Sequence, residues 1–374
     1  GLGKLEEVVT AVNETGAQVL IFDEELSPGQ QRNLQKASGV QVIDRTMLIL
    51  FIFAQRAKTR EAKLQVQSAQ FRYMLPRLTT FLSVGAGLDA KGGGLGLKGA
   101  GETQLEVDRR LFRKQLQKIE EDLATVQTQR DVYRAKRRET DLAPVIAIVG
   151  YTNAGKSTLL NKLCGSEEVY ADDLLFATLD PTTRRLKLPA GKEVLMSDTV
   201  GFVQKLPTRL VSSFRATLDE LCDAAVVVHA VDCSSPLAEQ QVRSVQKIVL
   251  ELGAQDTPQI LLLNKADAVS KKPDIDWAAI SDPVKLFSVI PASARDGRGL
   301  DRLLATIEKA LIAQSVRIDC LLPFSEGALV TEVHSKGTIL SESFTESGTR
   351  LGAYVPLSLR NRIEKVATQF RAET

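Results

Sequence analysis

The chain shows three successive rhythms of apolar and polar positions, each predicting a different kind of architecture. At the start the pattern is mixed. Lys4–Val12 reads as a helix, while Gln18–Phe22 (QVLIF) and Val40–Ile43 read as short strands. Ser27 and Pro28 supply an N-cap and a first-turn proline for a helix over Gly29–Ala37. This predicts a small α/β unit. The longest apolar run, Met47–Ala54, is too short to cross a bilayer and reads as core, so no membrane span is expected.

A heptad-like rhythm follows. Leu64, Phe71, Leu75, Leu78 and Leu82 recur at seven-, four- and three-residue steps, and Phe112, Leu116, Ile119, Leu123, Val126 and Tyr133 repeat the spacing. Between them, residues 85–101 hold eight glycines and no period. Two helices with apolar seams around a glycine-rich tip predict an antiparallel helical hairpin; two core helices of a larger bundle are the alternative.

From Pro144 strands alternate with helices. VIAIVG, EVLMSD, AAVVVHAVD, QILLLNKAD and KLFSVIPAS are apolar runs ending in polar or glycine residues. Buried strands of a mostly parallel sheet end in this way at a binding edge. Beyond Ser315, Arg317–Leu322 and Thr349–Val355 read as strands and Leu357–Phe370 as a final helix. The expected fold class is α/β. Residues 1–143 form an N-terminal part (1–45 α/β, 46–143 hairpin), 144–314 a nucleotide-binding domain, and 315–374 a small α+β domain.

A length of 374 residues, 44% hydrophobic and 25% charged, suits a soluble globular protein of two or three domains. The net charge of +2 gives no whole-chain basic field. Local charge is less even. Arg56, Lys58, Arg60, Lys63, Arg72, Arg77, Lys91 and Lys98 face only Glu61 and Asp89, and the second arm ends in Arg134, Lys136, Arg137 and Arg138. A solvated helix face is the plain reading, and a rod that follows a phosphate backbone is the other. Cys164, Cys222, Cys233 and Cys320 lack metal-like spacing and read as buried, reduced thiols. His229, within an apolar strand, reads as core, and His334 carries no assigned role.

The chemistry lies at the strand ends. Gly150-Tyr151-Thr152-Asn153-Ala154-Gly155-Lys156-Ser157-Thr158 matches the phosphate-loop pattern GxxxxGK[ST] between a strand and a helix. Its backbone N–H groups would surround phosphates, with Lys156 reaching the β- and γ-phosphates and Ser157 holding Mg²⁺. Asn264-Lys265-Ala266-Asp267 selects the base: the Asp267 carboxylate accepts two hydrogens from guanine, whereas adenine opposes it with a lone pair. Ser293-Ala294-Arg295 adds a backbone N–H for the guanine oxygen. Asp198-Thr199-Val200-Gly201 supplies a carboxylate for a Mg²⁺-bound water and a free N–H for the γ-phosphate. Phe176-Ala177-Thr178-Leu179-Asp180 precedes Pro181, and Thr178 is the expected metal ligand released on hydrolysis, with Thr182 and Thr183 as reserves. A structural turn around Pro181 is the alternative for this segment. GTP is thus the expected substrate and Mg²⁺ the expected cofactor.

Six strings carry a resemblance to the HflX family of ribosome-associated GTPases: DEELSPGQQRNLQ (23–35), IFAQRAKTREAKLQVQSAQ (52–70), GETQLEVDRR (101–110), GYTNAGKSTL (150–159), FATLDPTTR (176–184) and DTVGFVQKLPTRLVSSFRATL (198–218). The resemblance covers nearly the whole chain. It implies a Ras-like GTPase domain between an N-terminal domain with a helical hairpin and a small C-terminal domain. It further implies a monomer that binds the large ribosomal subunit and its rRNA, reaches toward the peptidyl-transferase centre with the hairpin loop, and separates stalled or idle ribosomes. On that basis the basic hairpin becomes an rRNA-binding element. A GTP-gated factor for ribosome assembly or hibernation is the rival function. The chain departs from the family at Phe51, where an acidic residue is usual, and at Lys98 and Ala100 in the tip.

No catalytic residue is assigned. Ras-like switches carry a glutamine after DxxG to orient water; Phe202 stands here, which predicts slow intrinsic hydrolysis stimulated by the ribosome. Asn153 is a candidate K⁺ ligand, since related GTPases use asparagine at this position to hold K⁺ beside the phosphates; a loop-shaping role is the alternative. Bacterial cytoplasm is the expected location, with chloroplast stroma or mitochondrial matrix after removal of a targeting peptide as alternatives. The chain opens at Gly1 without methionine, so upstream sequence is expected.

Overall fold

The computed structural model describes residues 2–78, 98–140, 143–165, 182–199, 201–202, 221–269, 275–280 and 284–373. These fall into two compact units, one within residues 1–130 and the other within 131–205 and 215–374.

The first unit contains α1 (Leu2–Thr15), β1 (Val19–Phe22), α2 (Pro28–Ser38), β2 (Gln41–Asp44), α3 (Arg45–Arg56), α4 (Arg60–Met74) and most of α5 (Lys98–Thr140). β1 and β2 pair in parallel. Ser27 and Gln30 cap α2 reciprocally, and the αL glycine Gly39 (φ 70°) ends it. Asp44 caps α3 through the Met47 N–H while its second oxygen accepts from the Leu26 N–H at 3.0 Å. The run read as core is α3, which buries Met47, Ile49, Leu50 and Phe53 but leaves Phe51 exposed.

Both hairpin arms are helices. The Phe71 and Phe112 rings lie 5.2 Å apart and Arg72 pairs with Glu120 at 2.8 Å, so α4 and α5 pack together. The predicted seam positions Phe112, Leu116, Ile119, Leu123 and Val126 are half-buried, while Leu111, Arg113, Lys114 and Gln115 are exposed. α4 also buries a second face, Ala62, Val66, Ala69 and Tyr73, and packs beside α3. The tip expectation needs correction at one end. α5 begins at Lys98, so the last residues of the predicted aperiodic tip, 98–101, are helical. Residues 79–97 lie outside the described residues.

A second correction concerns Arg77. Counted with the exposed basic arm, it is buried instead. Its guanidinium donates to the carbonyls of Leu26 (2.6 Å) and Tyr73 (3.1 Å), lies over the Tyr73 ring, and faces the buried Asp44 at 3.8 Å. A buried carboxylate needs a counter-charge, and Arg77 supplies it. Arg60 and Lys63 stay exposed.

The second unit holds a six-stranded sheet of β3 (Val145–Gly150), β4 (Thr182–Lys187), β5 (Glu193–Asp198), β6 (Val226–Asp232), β7 (Gln259–Asn264) and β8 (Leu286–Pro291), in the order β4-β5-β3-β6-β7-β8. All neighbours are parallel except β4, which runs antiparallel to β5 at the edge. β4 (TTRRLK) was not anticipated, because its one apolar residue, Leu186, gives no buried run. α6 (Lys156–Cys164), α7 (Ala238–Glu251), a single turn α8 (Trp277–Ile280) and α9 (Leu300–Ile312) connect the strands. Leu159, Leu160, Leu303 and Ile307 pack on one face against Ile146, Ile148, Val194, Met196, Val228 and Ile260. Val231 and Leu261 bury the other face under Val242, Trp277 and Ile280. Burial on both faces is why β3, β5, β6 and β7 read as unbroken apolar runs.

The chain ends in an antiparallel sheet of β9 (Ser315–Leu322), β10 (Thr338–Thr345), β11 (Gly348–Pro356) and β12 (Gln369–Glu373), in the order β10-β11-β9-β12. α10 (Gly327–Lys336) and α11 (Leu357–Val366) cover it through Leu329, Val333, Leu359 and Ile363. The final helix is therefore shorter than predicted. The Thr368 N–H donates to Leu321 O at 2.9 Å and Phe370 pairs with Cys320, so the edge of β9 draws the last residues into a strand.

The turn joining β4 and β5 touches this terminal part through Lys192 Nζ, which donates to the Lys336 carbonyl at 2.9 Å, and touches α9 through the Ala190 N–H, which donates to Glu308 at 3.1 Å. None of the four cysteines is in a disulfide; Cys233 and Cys320 are buried as expected, whereas Cys164 is half-buried and Cys222 exposed. No helix among the described residues is long and apolar enough to cross a membrane.

Candidate nucleotide site

The site is assembled where β3, β5, β6 and β7 end. Gly150 closes β3 at φ 154°, and a Cβ there would lie 2.3 Å from the Ala230 carbonyl of β6, so this close approach requires glycine. The chain then loops through Tyr151–Ala154 and enters α6. Gly155 (φ 88°) sits at the helix start, where a Cβ would meet the Asn264 amide nitrogen at 2.3 Å. Asn153 and Lys265, both at φ 61°, are the non-glycine residues at positive φ among the described residues. Such strain concentrates at ligand sites.

Lys156, at the first helical position, is buried and donates to the carbonyls of Gly150 (3.2 Å) and Tyr151 (3.0 Å). Burial pushes its pKa down to about 8, against the pull of Asp198. Ser157 Oγ donates to Asp198 Oδ2 at 2.7 Å, joining the phosphate loop to the end of β5. A hydroxyl and a buried carboxylate are hard oxygen donors, the set that a Mg²⁺ ion retaining several waters prefers. The residues present therefore fit the expected metal.

After Asp198, the Thr199 hydroxyl donates to Ile148 O at 2.7 Å. The chain then runs beside the phosphate loop: the Phe202 N–H donates to Gly150 O (3.1 Å) and the Thr152 N–H to Phe202 O (2.8 Å). A Cβ on Gly201 would lie 3.1 Å from the Lys156 ammonium, so this backbone stands against the phosphate-binding lysine. The Phe202 side chain is only 3% exposed.

The base end is built around Asn264. Its Nδ2 donates to Ala154 O at 2.7 Å, and its Oδ1 accepts the Ala294 N–H at 2.9 Å. One buried amide thus joins the phosphate loop, the NKAD loop and the Ser293-Ala294-Arg295 loop. Asp267 is exposed at the mouth. A hydrogen bond from the Ser293 side chain, then a backbone bond and the charges of Arg295 and Arg298, hold its carboxyl below the usual value, so it stays ionised. Ser293 is itself buried and accepts the Asp296 N–H at 3.1 Å. The Ala266 N–H donates to Ala292 O at 3.1 Å, fixing the turn between them.

The structure thus brings together residues 150–158, 198–199, 201, 264–267 and 293–295. Phe176, Ala177, Thr178, Leu179, Asp180 and Val200 lie outside the described residues. The reserves Thr182 and Thr183 belong to the edge strand β4, where Thr183 Oγ1 lies 3.4 Å from Ser197 Oγ.

Two residues near the site were not singled out from sequence as parts of it. Asp232 meets Lys265 at 2.8 Å. His229, in β6 between Val149 and Leu261, is buried, and burial and Lys156 push its pKa down to about 3. Its neutral form is favoured, which agrees with the core assignment. The unfolded chain binds a proton near pH 6.5 and the folded chain does not, so His229 costs stability as pH falls through 6.5 toward 3. At pH 5 that cost is about 2 kcal/mol. Urea unfolding at pH 7 and pH 5 should show a smaller loss for His229→Gln than for the unchanged protein; equal losses would contradict the assignment.

A phosphate loop and an NKxD loop at the carboxyl edge of this sheet define a P-loop GTPase. The comparisons with known proteins agree. A family described as a 50S ribosome-binding GTPase matches residues 145–265, a GTP-binding GTPase N-terminal family matches 1–54, and a GTP-binding GTPase middle-region family matches 56–137. GTPase HflX of Alkalihalophilus pseudofirmus is 47% identical over 93% of this chain and 79% of its own. GTPase HflX of Caldanaerobacter subterraneus is 42% identical over 97% and 81%, and that of Escherichia coli 40% over 93% and 80%. The chain belongs to the HflX GTPase family. Among solved structures, a GTP-binding protein of Sulfolobus solfataricus in complex with GDP matches with a TM-score of 0.45 at 24% identity, over 83% of this chain and 85% of that chain.

Proposed function

We propose that this GTPase docks on the large ribosomal subunit in its GTP-bound state, splits stalled or idle ribosomes, and hydrolyses GTP under ribosomal stimulation. Lys156 and the N–H groups of the phosphate loop hold the phosphates, and Asp267 holds the guanine edge beside the Ser293-Ala294-Arg295 loop. Ser157, Thr178 and, through water, Asp198 hold Mg²⁺. When bound, the metal neutralises charge developing on the transferred phosphoryl group. Gly201, free of a side chain, brings its N–H toward the γ-phosphate beside Lys156.

The observation that carries the need for stimulation is Phe202. It occupies the position where a glutamine would orient water, and its side chain is buried. No group on this residue can hold the attacking water, so hydrolysis waits for a partner. Turnover by the protein alone should therefore be slow and should rise at least about a hundredfold with bacterial-type ribosomes, the scale of one well-placed stabilising group. Equal turnover with and without ribosomes would refute it. Sedimentation of whole ribosomes with the protein and a non-hydrolysable GTP analogue should yield separated subunits. Stable binding without separation would favour the assembly or hibernation role instead.

Asn153, at positive φ in the loop, is proposed to place its side-chain oxygen on a K⁺ ion beside the phosphates. Turnover should then be several-fold faster in K⁺ than in Na⁺ at equal ionic strength, because a correctly sized cation stabilises transition-state charge. Equal rates would leave Asn153 a loop-shaping role only.

A further inference from the structure

The guanine end of the site contains a charge pair that the motif residues do not explain. Asp232 is the last residue of β6 and lies in register with Asn264, the last of β7. Its Oδ1 accepts from the backbone N–H of Ser234 at 3.0 Å and from the Ser234 hydroxyl, so its own turn fixes the carboxylate. Its Oδ2 meets the Lys265 ammonium at 2.8 Å. The next residue, Cys233, donates its N–H to Asn264 O at 3.0 Å, so backbone and side chain of this turn both grip the NKAD loop.

Lys265 is held at both ends. Its backbone sits at φ 61°, a conformation that persists only where neighbours enforce it. Its ammonium is anchored on Asp232. Four methylenes between two fixed points become a wall rather than a mobile chain, with their rotamer freedom removed before any ligand arrives. The wall stands two residues before Asp267.

We propose that Asp232 is a positioning residue for guanine-nucleotide binding: it keeps Lys265 extended so that the Lys265 stem covers one face of the base that Asp267 recognises. The inference rests on the reading of Asp267 as the guanine-selecting residue. The pair is partly exposed, 31% at Lys265 and 18% at Asp232, so its contribution to folding is small. Its effect is on how long the nucleotide stays.

The test uses the full chain, fluorescent GDP and a double-mutant cycle. Asp232→Asn should speed GDP dissociation about tenfold, because changes in affinity at one site reside mainly in the off-rate. Single-turnover hydrolysis of bound GTP should change less than about twofold, since no reacting atom is touched. In a Lys265→Met background, Asp232→Asn should add less than about twofold, the signature of a residue acting through its neighbour. Unchanged dissociation in Asp232→Asn, or effects that multiply in the double variant, would overturn the proposal. Should Asp232→Asn fail to fold, Lys265→Arg, which retains a cation for Asp232, should release GDP more slowly than Lys265→Met; equal rates would also overturn it. A wild-type protein that released GDP and ADP equally fast would instead overturn the guanine reading, and this inference with it.

Discussion

Asp267→Asn should weaken GDP binding about a hundredfold and make xanthosine diphosphate a better ligand than GDP. Guanine presents two donors, its ring N–H and its amino group, to the Asp267 carboxylate. Each hydrogen bond to a charged acceptor contributes about 1.5–3 kcal/mol, so losing one and leaving a donor opposed by an amide N–H costs roughly 3 kcal/mol. The sign of the specificity change follows from the same geometry. Xanthine carries a carbonyl where guanine carries the amino group, and an asparagine amide donates to that carbonyl while its oxygen still accepts the ring N–H. Ser293, Arg295 and Arg298 keep Asp267 ionised in the unchanged protein, so the switch compares an anion with a neutral amide. Competition between the two diphosphates, read by equilibrium fluorescence, checks both parts. Unaltered GDP affinity in the variant would remove Asp267 from the base site.

The second large effect is expected at Lys156. Lys156→Ala should lower single-turnover GTP hydrolysis roughly a thousandfold, since a preorganised cation directed at transferring phosphate is among the strongest single contributions to such reactions. It should not destabilise the empty protein. The ammonium is buried, with two carbonyls as hydrogen-bond partners among the described residues and a pKa pushed down to about 8, which marks its charged form as disfavoured there. Removing it relieves that burial cost. Thermal unfolding without nucleotide should therefore be equal or slightly later in the variant, while nucleotide should no longer shift the midpoint appreciably. A large fall in the unliganded midpoint would show that Lys156 serves the fold.

Legibility in the sequence followed the physics of each element. The parallel strands were plain, because burial on two faces leaves unbroken apolar runs that end in the site motifs. β4 was hidden, since an edge strand such as TTRRLK exposes alternate residues and buries little. The hairpin seam was legible from spacing alone. The second buried face of α4 was not, because Ala62, Gln65, Ser68 and Ala69 are small or polar and give no apolar signal. Arg77 was misread because sequence reports charge and not the partner: only the fold places Asp44 and Tyr73 against it. At the site, the motif spacing supplied residues 150–158, 198–199, 201, 264–267 and 293–295. It could not supply Asp232, which reaches Lys265 from a neighbouring strand far away in the chain.

Asn264 carries a consequence for the guanine end of the site. Its amide bridges Ala154 and Ala294 through bonds made wholly within the protein, so three loops are latched by one side chain. Guanine arrives at a mould that is already cast, and little ordering remains to be done there on binding. The capacity to signal must then reside at the opposite end of the ligand, where the γ-phosphate is present or gone. Base recognition should therefore stay constant while the γ-phosphate comes and goes.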